Sequence, residues 1–166
     1  MIGYDVSPEN ALLLEKDPKF HVLTGYTTTE VILSTNQTRK PFDDVRVRRA
    51  MAHAIDRSAL IKGVMSGYGV PIGSHMDPGN PYYIDLTSVY PYNPTKAKQL
   101  LAEAGYPNGF EAVIKLPERF AYAKRSGEII TDMLSQVGIR LKIELTEWGQ
   151  WIDRAFRNAD FDLTVI

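Results

Sequence analysis

Residues 111–145 read EAVIKLPERFAYAKRSGEIITDMLSQVGIRLKIEL, and this stretch decides the fold class. At its end Ile139, Leu141, Ile143 and Leu145 alternate with Arg140, Lys142 and Glu144. Successive strand side chains point to opposite faces, so this period of two predicts a strand with one buried and one wet face. Ahead of it, about Phe120 to Val137 predicts a long helix with Ile130, Leu134 and Val137 on one face and Gly138 at the end. Glu111–Leu116 predicts a further strand. Helices and strands that alternate in this way argue an α/β layered domain.

The neighbouring segments extend the pattern. Upstream, Asn93 is a helix N-cap, Pro94 the first helical residue, and Ala97, Leu100, Leu101 and Ala104 a buried stripe that Gly105 ends before Tyr106-Pro107. Downstream, Trp148, Trp151, Ile152, Ala155 and Phe156 recur at helical spacing, followed by an apolar strand, Phe161–Ile166. Earlier still, Val47, Ala50, Met51, Ala54 and Ile55 define an amphipathic helix capped by Asp43 or Asp44. Asp56 caps a second, shorter helix through Ala59, Leu60 and Val64. Between Gly67 and Pro91 runs a long connection punctuated by Gly67, Gly69, Gly73, Gly79 and by Pro71, Pro78, Pro81 and Pro91. Loops of that length are usually functional or linkers.

The N-terminal part reads as a strand over Ile2–Val6, then a helix with Ser7 as N-cap and Pro8 as its first residue, stopped by Asp17-Pro18. Phe20–Thr24 and Thr29–Thr35, rich in β-branched residues and separated by Gly25-Tyr26, predict two strands. Asn36–Pro41 is a polar break. The opening Met1-Ile2-Gly3-Tyr4-Asp5 lacks the basic and apolar regions of a signal peptide, so the targeting segment of an exported protein is expected outside these residues. A chain that starts and stops inside strands is expected to be a piece of something longer.

Composition narrows the chemistry. The 166 residues are 44% hydrophobic and 23% charged, enough to bury a core, and the formal net charge of −1 supplies no general attraction to nucleic acid or anionic membrane. No cysteine is present, which removes thiolate and zinc–thiolate chemistry. His21, His53 and His75 stand far apart without metal-pair spacing, and His53 reads as a structural histidine, so neither metal nor cofactor is expected. There is no G-x-S-x-G elbow, and Gly67-Tyr68-Gly69 followed by Gly73 misses the dinucleotide spacing, so an enzyme is not expected. Arg39, Lys40, Arg46, Arg48, Arg49 and Arg57 interleave with Asp43, Asp44 and Asp56, as on a solvated helix face with local ion pairs. The Trp148/Trp151 stripe reads as core or cleft wall before a cofactor box.

Three stretches carry a resemblance to a known family. Asn36-Gln37-Thr38-Arg39-Lys40-Pro41-Phe42-Asp43-Asp44-Val45-Arg46-Val47-Arg48-Arg49-Ala50, continuing to Ala54-Ile55-Asp56-Arg57, is the first; Tyr92-Asn93-Pro94 through Ala97, Leu100-Leu101 and Ala104-Gly105-Tyr106 is the second. Leu134, Val137-Gly138-Ile139 and Asp160-Phe161-Asp162-Leu163 form the third. Together they resemble the family 5 extracellular solute-binding proteins of the peptide/nickel type. The resemblance implies a type II-like periplasmic-binding-protein lobe with a mixed sheet flanked by helices. It places residues 1–35 in the tail of a first lobe with the hinge crossover, and residues 36–166 in most of a second, ligand-binding lobe cut short at its C-terminal end. It further implies a periplasmic or extracytoplasmic receptor that captures a peptide or peptide-like solute between its lobes and presents it to ABC permease membrane subunits. Opines, sugars, metal chelates, haem and glutathione are ligands of relatives, and nucleic acid is not expected as a partner.

Candidate ligand contacts are residues on loops at the lobe's edge: Asn36 at the crossover, Tyr68 and His75 in the glycine-rich connection, and Arg119, Tyr122 or Arg125 after the Glu111–Leu116 strand. Arg119 or Arg125 is suited to hold a carboxylate in a bidentate fork. The competing reading is a stand-alone protein-interaction domain without a small ligand.

Overall fold

The computed structural model of the chain describes residues 6–25 and 27–166. Its elements are α1 (Pro8–Leu14), β1 (Leu33–Thr35), α2 (Val45–Ala54), α3 (Arg57–Met65), α4 (Pro94–Glu103), β2 (Phe110–Pro117), α5 (Ala121–Ser135), β3 (Ile139–Thr146), α6 (Trp148–Trp151), a π-helical continuation (Ile152–Arg157) and β4 (Leu163–Val165). The strands form one sheet in the order β1-β4-β2-β3. β2 runs parallel to β3 and to β4, whereas β1 is antiparallel to β4, so the sheet is mixed. The α/β layered reading is therefore correct.

Local sequence chemistry starts most helices where expected. Ser7 accepts from Asn10 N, Asp56 from Ala59 N and Asn93 from Lys96 N. Of the two candidate caps of α2, Asp44 serves, accepting from Arg46 N. Each cap supplies an acceptor to a backbone N–H that the helix leaves unpaired. His53 is structural as read: its Nδ1–H donates to Pro91 O at 2.7 Å, and His53 O accepts from Asn93 N at 2.7 Å, which returns the long connection to the start of α4.

One face of the sheet carries the core. Phe110, Ala112, Ile114 and Leu116 of β2, Ile139 of β3, and Leu163 and Val165 of β4 pack with Val47, Ala50 and Met51 of α2, Leu100 and Leu101 of α4, and Ile130 and Leu134 of α5. Burying each such Leu or Ile stabilises the fold by about 1.5–3 kcal/mol. The other face carries Lys115 and Thr164 and is covered by α6, whose Trp151 is 5% exposed. At the amino ends of β2 and β3 two turns meet. Gly109 (φ 75) and Gly138 (φ 95) are both left-handed, and a side chain at Gly109 would overlap the Gly138 carbonyl. Only glycine allows that approach, which brings the two strands into register at Phe110 and Ile139.

Several expectations need correction. Phe20–Thr24 is irregular rather than a strand, with Leu23 93% exposed, and only Leu33–Thr35 of the Thr29–Thr35 stretch is strand. β-branched composition does not make a strand without a partner; Leu33–Thr35 pairs with Leu163–Val165, and Ile32 and Ile166 exchange backbone hydrogen bonds beside them. The Ile2–Val6 expectation falls outside the described residues except for Val6. The last helix is α-helical for one turn and then widens, with Asn158 N donating to Asp153 O, five residues back. Phe156, which follows the buried Ala155, faces outward and is 77% exposed.

Candidate functional site

The topology puts at the carboxyl edge of the sheet the place where open α/β sheets form their crevice. From β2 the chain crosses through α5 to β3 on one side, then returns through α6 and the π-helix to β4 on the other side of β2. Parallel crossovers keep one hand, so reversing direction puts the two connections on opposite faces. The packing agrees: α5 lies on the core face, and α6 on the face of Lys115 and Thr164. The loops leaving adjacent strands β2 and β3 therefore diverge at a topological switch point, the place where open α/β sheets bind ligands. Glu118 N donates to Thr146 O at 3.0 Å and ties the two loops together at their root.

Aromatic side chains wall this crevice. Tyr122 stacks on Phe120 with centroids 5.5 Å apart, Phe120 meets Trp148 edge-on at 5.0 Å, and Trp148 stacks on Trp151 at 5.3 Å with planes 7° apart. The exposed Arg119 guanidinium lies 5.7 Å from the Phe120 ring centre, a cation–π distance. Both helices that leave the crevice point their N-termini toward it. At α6 the Glu147 carboxylate accepts from Gln150 N at 3.1 Å, and hydrogen bonds from Gly149 and Gln150 hold its pKa below the usual value. No side chain among the described residues caps α5, whose N-cap position is Phe120. Thr146 Oγ1, buried at the end of β3, has no hydrogen-bond partner among the described residues. A cationic fork, apolar ring faces and unspent backbone donors suit a partly apolar solute with an anionic group.

Of the residues singled out in the sequence, Arg119 and Tyr122 meet at this crevice; burial pushes the Tyr122 phenol up. The others sit elsewhere. Arg125 pairs with Glu9 of α1. Tyr68 donates to Glu15 Oε1 at 2.7 Å, which raises its pKa, and His75 Nδ1 lies 3.2 Å from Glu30 Oε2. These three thus each contact a glutamate of the N-terminal segment. Asn36 is 6% exposed and spends its amide internally: Nδ2 donates to Ala159 O (2.7 Å) and Phe161 O (3.0 Å), while Oδ1 accepts from Thr38 N and Oγ1. It latches the crossover onto the segment entering β4, toward the amino end of that strand. Phe120 and Thr146 were not singled out. Their signal was positional, since each follows or ends a strand of the strand–helix–strand unit whose parallel pairing aligns both loops on one edge. The Trp148/Trp151 stripe divides, with Trp151 buried and Trp148 half-buried as a wall.

The opposite end of β4 is held by charge. Asp160 accepts from Lys115 Nζ (2.9 Å), Arg39 Nη2 (3.0 Å) and Arg154 Nη2 (2.9 Å), and Asp162 accepts from Arg39 Nη1 (3.2 Å) and Val113 N (3.0 Å). Lys115 first, then Arg39 and Arg154, hold the Asp160 carboxyl far below the ordinary carboxylate range. Much of the basic cluster is likewise committed internally: Arg46 to Asp44, whose pKa falls to about 2, Arg48 to the carbonyls of Phe42 and Asp43, and Arg57 to Tyr90 O. Two surface depressions, of about 300 and about 280 Å³, lie at Lys40–Tyr106 and at Arg57–Tyr90 and include no residue of the crevice. Neither depression gathers strand ends and helix N-termini. No helix among the described residues is long and apolar enough to cross a membrane.

Comparison with known proteins gives the family of this mixed α/β fold. The family model for bacterial extracellular solute-binding proteins, family 5 Middle, matches residues 1–166, and the chain belongs to that family. It is 34% identical over 148 residues to the glutathione-binding protein GsiB of Escherichia coli (strain K12), a match covering 89% of this chain and 29% of GsiB. Among solved structures it is similar to the periplasmic binding protein AgaA from A. tumefaciens R10 in complex with agropinic acid (TM-score 0.78, 31% identity, 96% of this chain and 33% of that one). It is also similar to the ABC transporter-associated periplasmic binding protein DppA from Helicobacter pylori in complex with peptide STSA (TM-score 0.80, 27% identity, 96% and 31%). The chain spans less than a third of the length of the curated relatives it matches. These relatives are binding proteins.

Proposed function

We propose that this chain forms the ligand-facing part of an extracytoplasmic receptor for an ABC importer, which captures a peptide or peptide-like solute between two lobes and hands it to the permease. Residues 36–166 supply most of the second lobe, and residues 1–35 the tail of the first lobe with the crossover. The observation that carries the reading is the switch-point crevice, in which Arg119, Phe120, Tyr122 and Trp148 converge beside the uncapped α5. Glutathione, peptide STSA and agropinic acid are bound by relatives; a carboxylate is common to them, and a guanidinium fork recognises it. In this reading Arg119 holds the carboxylate, the rings of Phe120 and Trp148 bear the solute's apolar parts, and the Thr146 hydroxyl is free for a polar group or a water. The role is binding, not catalysis.

The test is titration calorimetry and thermal unfolding of the intact protein with glutathione, short peptides and their C-terminal amides. A solute that binds only the native state raises the unfolding temperature by mass action. Replacing Arg119 by alanine is expected to weaken carboxylate-bearing solutes about 10- to 100-fold, the worth of a charged hydrogen-bonded pair, and to leave the amides nearly unchanged. No stabilisation by any of these solutes, or equal losses for acids and amides, refutes the proposal.

A further inference from the structure

The crevice wall has a support that the binding role alone does not explain. Trp151 is 5% and Thr164 3% exposed, and they are joined by a hydrogen bond from Trp151 Nε1–H to Thr164 Oγ1 at 3.0 Å. The same hydroxyl donates onward to Lys115 O at 2.6 Å. Its single proton is thereby committed to the carbonyl, which leaves an oxygen lone pair aimed at the indole. The Trp151 ring is thus fixed by a buried donor–acceptor chain anchored in the backbone of the central strand β2. On it lies Trp148, parallel within 7° at 5.3 Å, and Trp148 in turn meets Phe120. An indole N–H buried without an acceptor costs free energy, so the ring keeps the one orientation that satisfies it. The side chain of Lys115 also donates to Asp160, so β2 holds the β4 end of this segment at two points, Asp160 and Thr164.

We infer that Trp151 and Thr164 are positioning residues of the ligand site, which set the plane of Trp148 and hence the shape of the crevice wall without touching solute themselves. This rests on the proposed crevice for its effect on binding, but the placement of Trp148 is testable by itself. The chain has two tryptophans, and two stacked indoles give a paired circular dichroism band whose sign and size follow the in-plane angle between them, so the band reports how Trp148 sits on Trp151.

The experiment uses the intact protein, with reduced glutathione and trialanine as probes. Thr164→Val keeps the shape and removes the hydroxyl; Trp151→Phe keeps an aromatic ring and removes the N–H; Thr164→Ser restores the hydroxyl. The expected result is a lost or inverted band pair in Thr164→Val and a retained one in Thr164→Ser. Probe binding should weaken about fivefold in Thr164→Val and Trp151→Phe, the equivalent of one net hydrogen bond. In a Trp148→Ala background the Thr164→Val loss should vanish, because the support then has nothing to position. An unchanged band pair in Thr164→Val overturns the inference, as does an equal loss of binding with and without Trp148. Should Thr164→Val not fold, Trp151→Phe with and without Trp148→Ala decides the point by probe binding, and an equal loss in both backgrounds overturns the inference. If Trp148→Ala binds both probes like the wild type, the proposed crevice fails instead, while the band pair still judges the positioning.

Discussion

Gly127 sits in the middle of α5, against the fully buried Leu116 of β2, and this contact sets how closely the helix lies on the sheet. A methyl group at Gly127 would overlap Leu116 Cδ1 and fall 3.2 Å from Cδ2 and Cγ. In a helix interior Gly→Ala ordinarily stabilises by about 1 kcal/mol. Overpacking a filled core costs about 1–3 kcal/mol, and Leu116, fully buried at 0% exposure, would have to shift inside the core to make room. The two effects oppose, and Gly127→Ala is expected to destabilise by about 1 kcal/mol. Leu116→Ala opens a cavity at a cost of about 2–5 kcal/mol. In that background the obstruction is gone, so Gly127→Ala should stabilise by about 1 kcal/mol. The sign of one substitution thus reverses with its neighbour, a coupling of about 2 kcal/mol. Urea unfolding of the four proteins measures it. If Gly127→Ala stabilises the wild type by its full helical gain, the close seating of α5 on β2 is wrong, and the placement of Arg119 and Phe120 at its start loses its support.

Two further outcomes follow from the opposite end of β4. Asn36→Ala strands two carbonyls and the Thr38 N–H, and is expected to cost roughly 2–4 kcal/mol at about 1 kcal/mol per net bond, read by thermal unfolding; an effect below about 0.5 kcal/mol would mean the latch is not formed. Asp160 is depressed in the folded state, so its stabilisation is complete above the unfolded value of about 4 and is lost as pH falls below it. Unfolding midpoints between about pH 7 and pH 3 should therefore drop more steeply for the native protein than for Asp160→Asn, and equal slopes would contradict the Lys115–Arg39–Arg154 arrangement.

The elements whose cause is local were legible in the sequence. Ser7, Asp56 and Asn93 begin helices because a side-chain oxygen reaches a backbone N–H three residues on. The alternation from Ile139 to Ile143 foretold a two-faced strand, although Leu145, expected on the same buried face, is 45% exposed, and the stripe Val47, Ala50, Met51, Ala54 is the buried side of α2. Partner-dependent features were not legible. Thr29–Thr35 has the composition of a strand, yet strand is formed at Leu33–Thr35, where it pairs with β4. The π-helical widening after Trp151, and the exposure of Phe156 beside the buried Ala155, have no counterpart in the local period of the sequence.

The candidate site divides in the same way. Arg119 and Tyr122 were readable as loop residues after a strand, but nothing local could show that Tyr68, His75 and Arg125 each meet a glutamate of the N-terminal segment. Asn36 looked like a polar crossover residue, and its buried amide became visible only when residues 159–161 closed over it. Sequence by itself determined where helices start, which faces are apolar and which family motifs are present, because those depend on neighbours within a few residues. Tertiary structure alone decided which strand ends share an edge and which side chains are already spent on one another, because strand order and crossover direction join residues that the chain keeps far apart.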